Sequence, residues 1–382
     1  MNADATTRAD PVAEVSAAGV SIWLDDLDRE RITSGDLAAL ARERHVVGVT
    51  TNPTIFKKAL ARASAYDLQV RDLALRGVAV EEAARAVTAW DVRAACDVLR
   101  PVFDATRSRD GRVSIEVDPR LALETERTVA EARALWWLVD RPNLFIKVPA
   151  TREGVRAIPP LLSEGISVNL TLIFSVTRYR AVLDAFLEGL EERLRRGAAL
   201  EGLESVASFF VSRVDTEADR RLDAIADCDP ARAQAARNLR GATAIANARL
   251  AYEAFEESLA TDRWRALAER GARPQRPLWA STGVKDPAYH DTRYVVELLG
   301  PDTVNTMPEL TLRALADHGQ PRRGTARSGR KEARAVMQDL ARVGVDMADV
   351  TETLEREGLE KFVADWNGLL GSLSGRLSTV EG

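Results

Sequence analysis

The sequence predicts α/β architecture: a single (β/α)8 TIM barrel with additional helices and a C-terminal helical tail. Three observations lead there. Eight short apolar runs alternate with helical stretches along one chain, the order required by a parallel sheet wrapped by helices. Polar and ionisable residues recur on alternate positions of several runs, as they do where strand ends line a barrel interior. No glycine-rich dinucleotide fingerprint or phosphate loop follows any run, which removes the usual reason to prefer a doubly wound open sheet, the competing topology.

Taken in order, the first strand is Val20–Asp25, and Thr33–Glu43 follows as a helix with Ser34 as its N-cap. Val46–Asn52 is the second strand, stopped by Pro53, and residues 54–105 are Ala-, Arg- and Leu-rich helix with a break near Gly77. Arg112–Asp118 is the third strand, ended by Pro119, and Leu121–Asp140 a helix. Residues 143–150 form the fourth strand, Gly154–Glu164 a helix and Ile166–Phe174 the fifth strand. An amphipathic helix at 177–196 leads to the sixth strand, Val206–Val214. The polar stretch 215–270 reads as helices on the outside with solvated charges. Pro277–Val284 and Thr303–Met307 are the last strands. Residues 320–330, basic and with Pro321, Gly324 and Gly329, read as a linker or mobile loop before helices that run to about Leu377. The domain plan is thus a flexible N-terminal segment at 1–19, a barrel at 20–319, and a linker with C-terminal helices packing on the barrel at 320–382.

Composition narrows the function. With 382 residues, 46% hydrophobic and 29% charged, the chain has ample core for a soluble globular protein. A net charge of -5 argues against nucleic acid or anionic membrane as a general partner. The first 19 residues lack the apolar core of a secretory signal, and no segment approaches a membrane span. Cys96 and Cys228 fall in helical patterns and read as buried free thiols of a reducing cytoplasm. His45, His290 and His318 share no ligand spacing, so neither zinc chemistry nor a histidine triad is expected.

The chemistry centres on the fourth strand, Asn-Leu-Phe-Ile-Lys-Val-Pro-Ala, where Lys147 interrupts an apolar run. Lysine rarely goes inside without a partner or a task. Desolvation disfavours an ammonium ion and moves a lysine from about 10.4 toward neutrality, which makes it a nucleophile able to form a Schiff base. An edge strand with the lysine in water, or an ion pair, is the plainer reading. Asp25, Asn52, Glu116, Asn169, Thr171, Ser208 and Ser281 are placed by alternation to converge with Lys147 on one interior rim. Singly, each has an ordinary explanation: Asn52 precedes a proline, and Thr171 is a common strand residue. Together they suit carbon–carbon bond chemistry, with carboxylates and a hydroxyl around a positioned water and Asn side chains for sugar hydroxyls. Arg213 and Lys285, with Ser208 and Ser281, make a phosphate seat near the late strands.

These motifs resemble the transaldolases of the longer bacterial type, within the class I Schiff-base aldolases. The matching stretches are Ser-Ile-Trp-Leu-Asp-Asp-Leu from Ser21, Gly-Val-Thr-Thr-Asn-Pro-Thr from Gly48, Ser-Ile-Glu-Val-Asp from Ser114 and Leu-Phe-Ile-Lys-Val-Pro-Ala-Thr from Leu144. Others begin at Ile166, Ser208, Trp279 and Gly300, so the resemblance spans about residues 20–310. It implies Lys147 as the Schiff-base lysine, Asp25 as acid/base, and Glu116 with Thr171 around the catalytic water. Asn52 and Asn169 would orient a dihydroxyacetone unit, and Ser208 and Arg213 would bind phosphate. Shorter family members place an arginine after strand seven, where this chain has Ser281-Thr282-Gly283-Val284-Lys285, so Lys285 takes that position here. Phe210 stands where related free aldolases carry a tyrosine able to activate water, which favours transfer over aldol cleavage. The implied activity is transaldolase of the pentose phosphate pathway, with sugar phosphates as substrates, no metal or organic cofactor, and a cytoplasmic monomer or homodimer. A fructose 6-phosphate aldolase and a non-catalytic sugar-phosphate-binding barrel are the alternatives.

Overall fold

The computed structural model describes residues 10–62 and 64–378. Its centre is a closed barrel of parallel strands in sequential order: β1 (Val20–Leu24), β2 (Val46–Val49), β3 (Arg112–Glu116), β4 (Leu144–Pro149), β5 (Val168–Ile173), β6 (Ser205–Phe210), β7 (Arg276–Ala280) and β8 (Thr303–Met307). β1 pairs with β8 from Val20↔Thr303 to Leu24↔Met307, which closes the ring and leaves no strand edge.

Register decides which side chains meet inside, because paired positions on neighbouring parallel strands face the same way. Trp23 pairs with Gly48 and Thr306, Glu116 with Lys147, and Lys147 with Asn169. Gly48 makes room for the indole: a Cβ there would lie 2.5 Å from a Trp23 ring atom. At the N-terminal end of the barrel the interior is closed by Arg276, buried, whose Nη1 donates to Ser21 Oγ at 2.8 Å and whose Nη2 donates to the Arg109 carbonyl at 2.8 Å, with Asp110 Oδ1 at 3.2 Å from both nitrogens. A buried guanidinium held through both Nη groups, with Nε left without a hydrogen-bond partner among the described residues, is a polar plug. The C-terminal end stays open, and the remaining polar interior residues gather there.

Several expected boundaries shift. Residues 1–9 of the segment expected to be flexible lie outside the described residues. The rest of it folds: Pro11–Ala17 is a helix capped by Asp10, with Val12 and Val15 buried. Ser34 ends a short helix, Arg29–Thr33, rather than starting the next, which begins at Asp36 after Gly35. β6 stops at Phe210, because Ser212–Cys228 is already helical. The stretch 215–270 is helical as expected but not merely peripheral. Asp215 is buried, accepts from Ala244 N at 2.7 Å and from Tyr294 Oη at 2.7 Å, and burial pushes its carboxyl up to about 6. Residues 320–329 are non-helical but anchored, with Ala326 fully buried and Thr325 Oγ1 donating to the Val296 carbonyl at 2.9 Å. Cys96 is buried as expected, whereas Cys228 is exposed at a helix end. No described helix is long and apolar enough to cross a membrane.

Candidate active site

The open end of the barrel leads into a cavity of about 1090 Å³. Lys147 projects from β4 at its base, 4% exposed, and is held from two sides: Nζ donates to the Thr51 carbonyl at 3.0 Å and stands 3.2 Å from Glu116 Oε2. Strand pairing places these two residues side by side, so the contact follows from the register. Burial pushes the Glu116 carboxyl up to about 7, against the pull of the Lys147 ammonium and assisted by the charge of Asp25. A carboxyl near 7 exchanges its proton readily at cellular pH. Glu116 Oε1 and Thr171 Oγ1 are both buried without a hydrogen-bond partner among the described residues. Such groups are usually satisfied by a water or by substrate.

Asp25 lines the same cavity, just past β1, and accepts from Thr50 Oγ1 at 2.9 Å, which in turn lies 2.6 Å from Thr306 Oγ1. Asn52 lines it too. Its Oδ1 accepts from Ile55 N at 3.0 Å, capping the helix Pro53–Arg62 and leaving the amide nitrogen for the cavity. Asn169 sits lower, fully buried, its Nδ2 donating to Ser114 Oγ at 3.1 Å and its Oδ1 accepting from Ser208 Oγ at 2.7 Å.

On the far wall stand Ser208, Phe210, Arg213, Ser281 and Lys285. Arg213 is on the first turn of the helix after β6, its guanidinium carbon 5.3 Å from the Phe210 ring centroid. Burial lowers its pKa, with Asp25 and Asp365 pulling the other way. Its side chain makes no hydrogen bond or ion pair among the described residues. Ser281 reaches the cavity by a route that alternation does not describe. Trp279, two residues earlier, faces the helices and donates to the Leu298 carbonyl at 3.0 Å. Ser281 adopts a left-handed φ of 55° that turns its side chain back toward Ser212 Oγ, 3.0 Å away.

The structure thus brings Asp25, Asn52, Lys147, Ser208, Arg213, Ser281 and Lys285 into the lining of one cavity. Glu116 touches Lys147 from beside it, Asn169 supports Ser208 from below, and Thr171 is buried in β5 at the register of Pro149. Sequence reasoning missed the roof. The helix Met347–Ser378 crosses the mouth and contributes Lys361, Phe362 and Asp365 to the lining. The Phe362 ring centroid is 5.7 Å from Lys147 Nζ, within reach of a cation–π contact. Asp365 accepts from Thr54 Oγ1, from Lys57 Nζ at 3.1 Å and from Lys361 Nζ at 3.0 Å, fastening the roof to the helix Pro53–Arg62. Gly358 allows the crossing: a Cβ there would meet Leu172 Cδ2 at 3.1 Å.

The arrangement supplies a buried amine, a proton-exchanging carboxyl beside it, a second carboxylate in the cavity lining and the guanidinium of Arg213 in the same lining. It fits amine-based chemistry on an anionic polyhydroxy carbonyl compound. Comparison with known proteins points the same way. The profile of the family described as Transaldolase/Fructose-6-phosphate aldolase matches residues 22–373. A protein named transaldolase from Acidothermus cellulolyticus is 62% identical over 372 residues, covering 97% of this chain and 98% of its own length. Another from Thermobifida fusca is 62% identical over 96% of this chain and 98% of its own, and one from Frankia alni 60% over 97% and 98%.

Proposed function

This chain belongs to the transaldolase/fructose-6-phosphate aldolase family and is an enzyme of the transferase class; from that premise we propose that it moves a dihydroxyacetone unit from sedoheptulose 7-phosphate to glyceraldehyde 3-phosphate, giving erythrose 4-phosphate and fructose 6-phosphate in the pentose phosphate pathway. The observation that carries the reading is Lys147, 4% exposed at the base of the cavity and 3.2 Å from a carboxyl poised near 7.

In this mechanism Lys147 passes a proton to Glu116 and its free amine adds to the ketose carbonyl. The carbinolamine oxygen takes up protons, relayed through a water held by Glu116 and Thr171, and departs as water to leave the iminium. Asp25 removes the proton of the C4 hydroxyl, the C3–C4 bond breaks, and the electron pair passes into the iminium as an enamine while the first aldehyde leaves. The enamine then adds to the incoming aldehyde and Asp25 returns the proton. Water finally hydrolyses the new iminium and frees Lys147. Asn52 and Asn169 orient the three-carbon unit. Arg213, Ser208, Ser281 and Lys285 hold the phosphate, Arg213 with the fork geometry that lysine lacks. Phe210, which offers no hydroxyl to activate water, supports transfer to an aldehyde over release of dihydroxyacetone. Incubation with fructose 6-phosphate alone tests this point: free dihydroxyacetone accumulating at the transfer rate speaks for an aldolase.

The protein works in the cytoplasm, a reading supported by its unbridged cysteines, and it acts there as a monomer or homodimer. It needs no metal or organic cofactor for the transfer. The residue ranges 20–319 and 320–382 serve as catalytic barrel and roofing tail. The deciding experiment is intact mass after incubation with fructose 6-phosphate and sodium borohydride, on wild type and Lys147→Ala. A dihydroxyacetone-sized adduct on the wild type alone is expected. No adduct on the wild type would leave a sugar-phosphate-binding barrel, and an adduct on both would mean another lysine.

A further inference from the structure

Two of the chain's three histidines meet away from the cavity. His290 and Asp291 lie in the connection between β7 and β8, and His318 ends the helix Glu309–His318 that follows β8. Asp291 Oδ1 is 2.8 Å from His318 Nε2 and 3.5 Å from His290 Nδ1, and one donor atom from each residue lies within 4.8 Å of the others. Tetrahedral coordination with bonds of 2.0–2.1 Å spaces its donors by about 3.3 Å, so small side-chain rotations suffice to converge them.

The second observation is the support behind His318. Its other ring nitrogen, Nδ1, is 3.0 Å from Asp317 Oδ2. A metal-ligating histidine almost always has its far nitrogen held by a carboxylate or carbonyl, which fixes the ring and raises its basicity. A ring with a carboxylate at each nitrogen satisfies both as an imidazolium through its two N–H groups; the neutral ring has one proton for the two and offers its other nitrogen to a metal ion. The Nδ1 proton serves Asp317, and a metal ion between Nε2 and Asp291 serves the other. His290 is also fixed, its Nδ1 2.9 Å from Thr292 Oγ1, a contact that binding would exchange for the ion.

We propose that His290, Asp291 and His318 form a surface site for one divalent transition-metal ion, with Asp317 as the buttress of His318. Two imidazole nitrogens and one carboxylate oxygen suit Zn2+ or Ni2+ rather than Mg2+ or Ca2+. The ion is a structural clip. It ties the β7–β8 connection, which also carries Lys285 of the cavity wall, to the end of the next helix. Nothing in the transfer chemistry passes through it.

Titration of the full chain with Zn2+ by isothermal calorimetry tests the site. Wild type and His45→Ala should each bind one equivalent saturably, because His45 lies elsewhere, near Asp10. His318→Ala and His290→Ala should lose that binding, and Asp317→Asn should weaken it about 10–100-fold. Zn2+ should raise the melting temperature of the wild type but not of His318→Ala. The proposal is overturned if the wild type shows no saturable binding, or if His290→Ala and His318→Ala bind Zn2+ as the wild type does. All of these side chains are at least partly exposed, so the variants keep the fold.

Discussion

Replacing Glu116 with glutamine keeps the side-chain shape beside Lys147, 3.2 Å away, and removes its capacity to take a proton. Burial holds the wild-type carboxyl at about 7. With that midpoint, about one carboxyl in ten is ionised at pH 6 and about nine in ten at pH 8. If Glu116 accepts the proton that Lys147 sheds, kcat/KM of the wild type should climb nearly tenfold over that interval and then level. The Glu116→Gln profile should be flat there, at a rate lowered by about 10²–10⁴. The assay is initial-rate transfer with a coupled dehydrogenase from pH 5.5 to 8.5, at temperatures below each variant's melt. That precaution matters because an ammonium stripped of its buried partner costs roughly 3–5 kcal/mol. The same shift carries a sign for stability. Between 4.5 and about 7 the folded chain keeps a proton that the unfolded chain has lost, so stability falls as pH rises through that window, by about 3 kcal/mol in all from this group. An acid limb with its midpoint near 7 that survives in Glu116→Gln, or a wild-type profile flat from pH 6 to 8, would refute the reasoning.

Two further outcomes bear on the rim and the roof. Arg213→Ala should raise KM for fructose 6-phosphate about 10–100-fold, since a charge-assisted hydrogen bond is worth about 1.5–3 kcal/mol. Trapping of unphosphorylated dihydroxyacetone by borohydride should change little, and equal losses with both compounds would remove the arginine from the phosphate seat. Asp365→Asn should loosen the C-terminal helix. Although burial opposes its ionisation, hydrogen bonds from Thr54, Lys361 and Lys57 hold the Asp365 carboxyl down at about 2, from 3.8. Its stabilisation, no more than about 2 kcal/mol, is present above pH 4 and lost as pH falls toward 2. Urea midpoints of wild type and variant should therefore differ at pH 7 and converge in acid, and identical midpoints at pH 7 would show that the latch contributes nothing.

The barrel was legible because its apolar runs are short, punctuated by proline or glycine, and separated by helix-length stretches. Where a run was overextended the cause is local. Val211 and Val214 are buried and apolar, so they read as more of β6, but they belong to the turn and helix that bring Arg213 to the cavity. Lys147, Glu116 and Asn169 were legible because alternation along regular strands fixes their face. Ser281 was placed by the same argument, yet it arrives through a left-handed residue that breaks the alternation. The roof was not legible. Lys361, Phe362 and Asp365 lie in an ordinary helical pattern, and nothing local shows that this helix spans a barrel mouth built from distant residues. The meeting of His290 with His318 was hidden for the same reason: their spacing matches no ligand motif until the chain folds.

The latch at Asp365 also has a consequence for biosynthesis. All the strands have been made once Met307 is in the chain, but Phe362 and Asp365, which cover Lys147 and fasten the cover, come later. At about 5–20 residues per second, a ribosome needs roughly 3–12 s to add the intervening stretch. A nascent chain therefore holds its reactive amine in an unroofed barrel for seconds, and a message truncated before the last helix would yield a protein with every strand and no finished pocket.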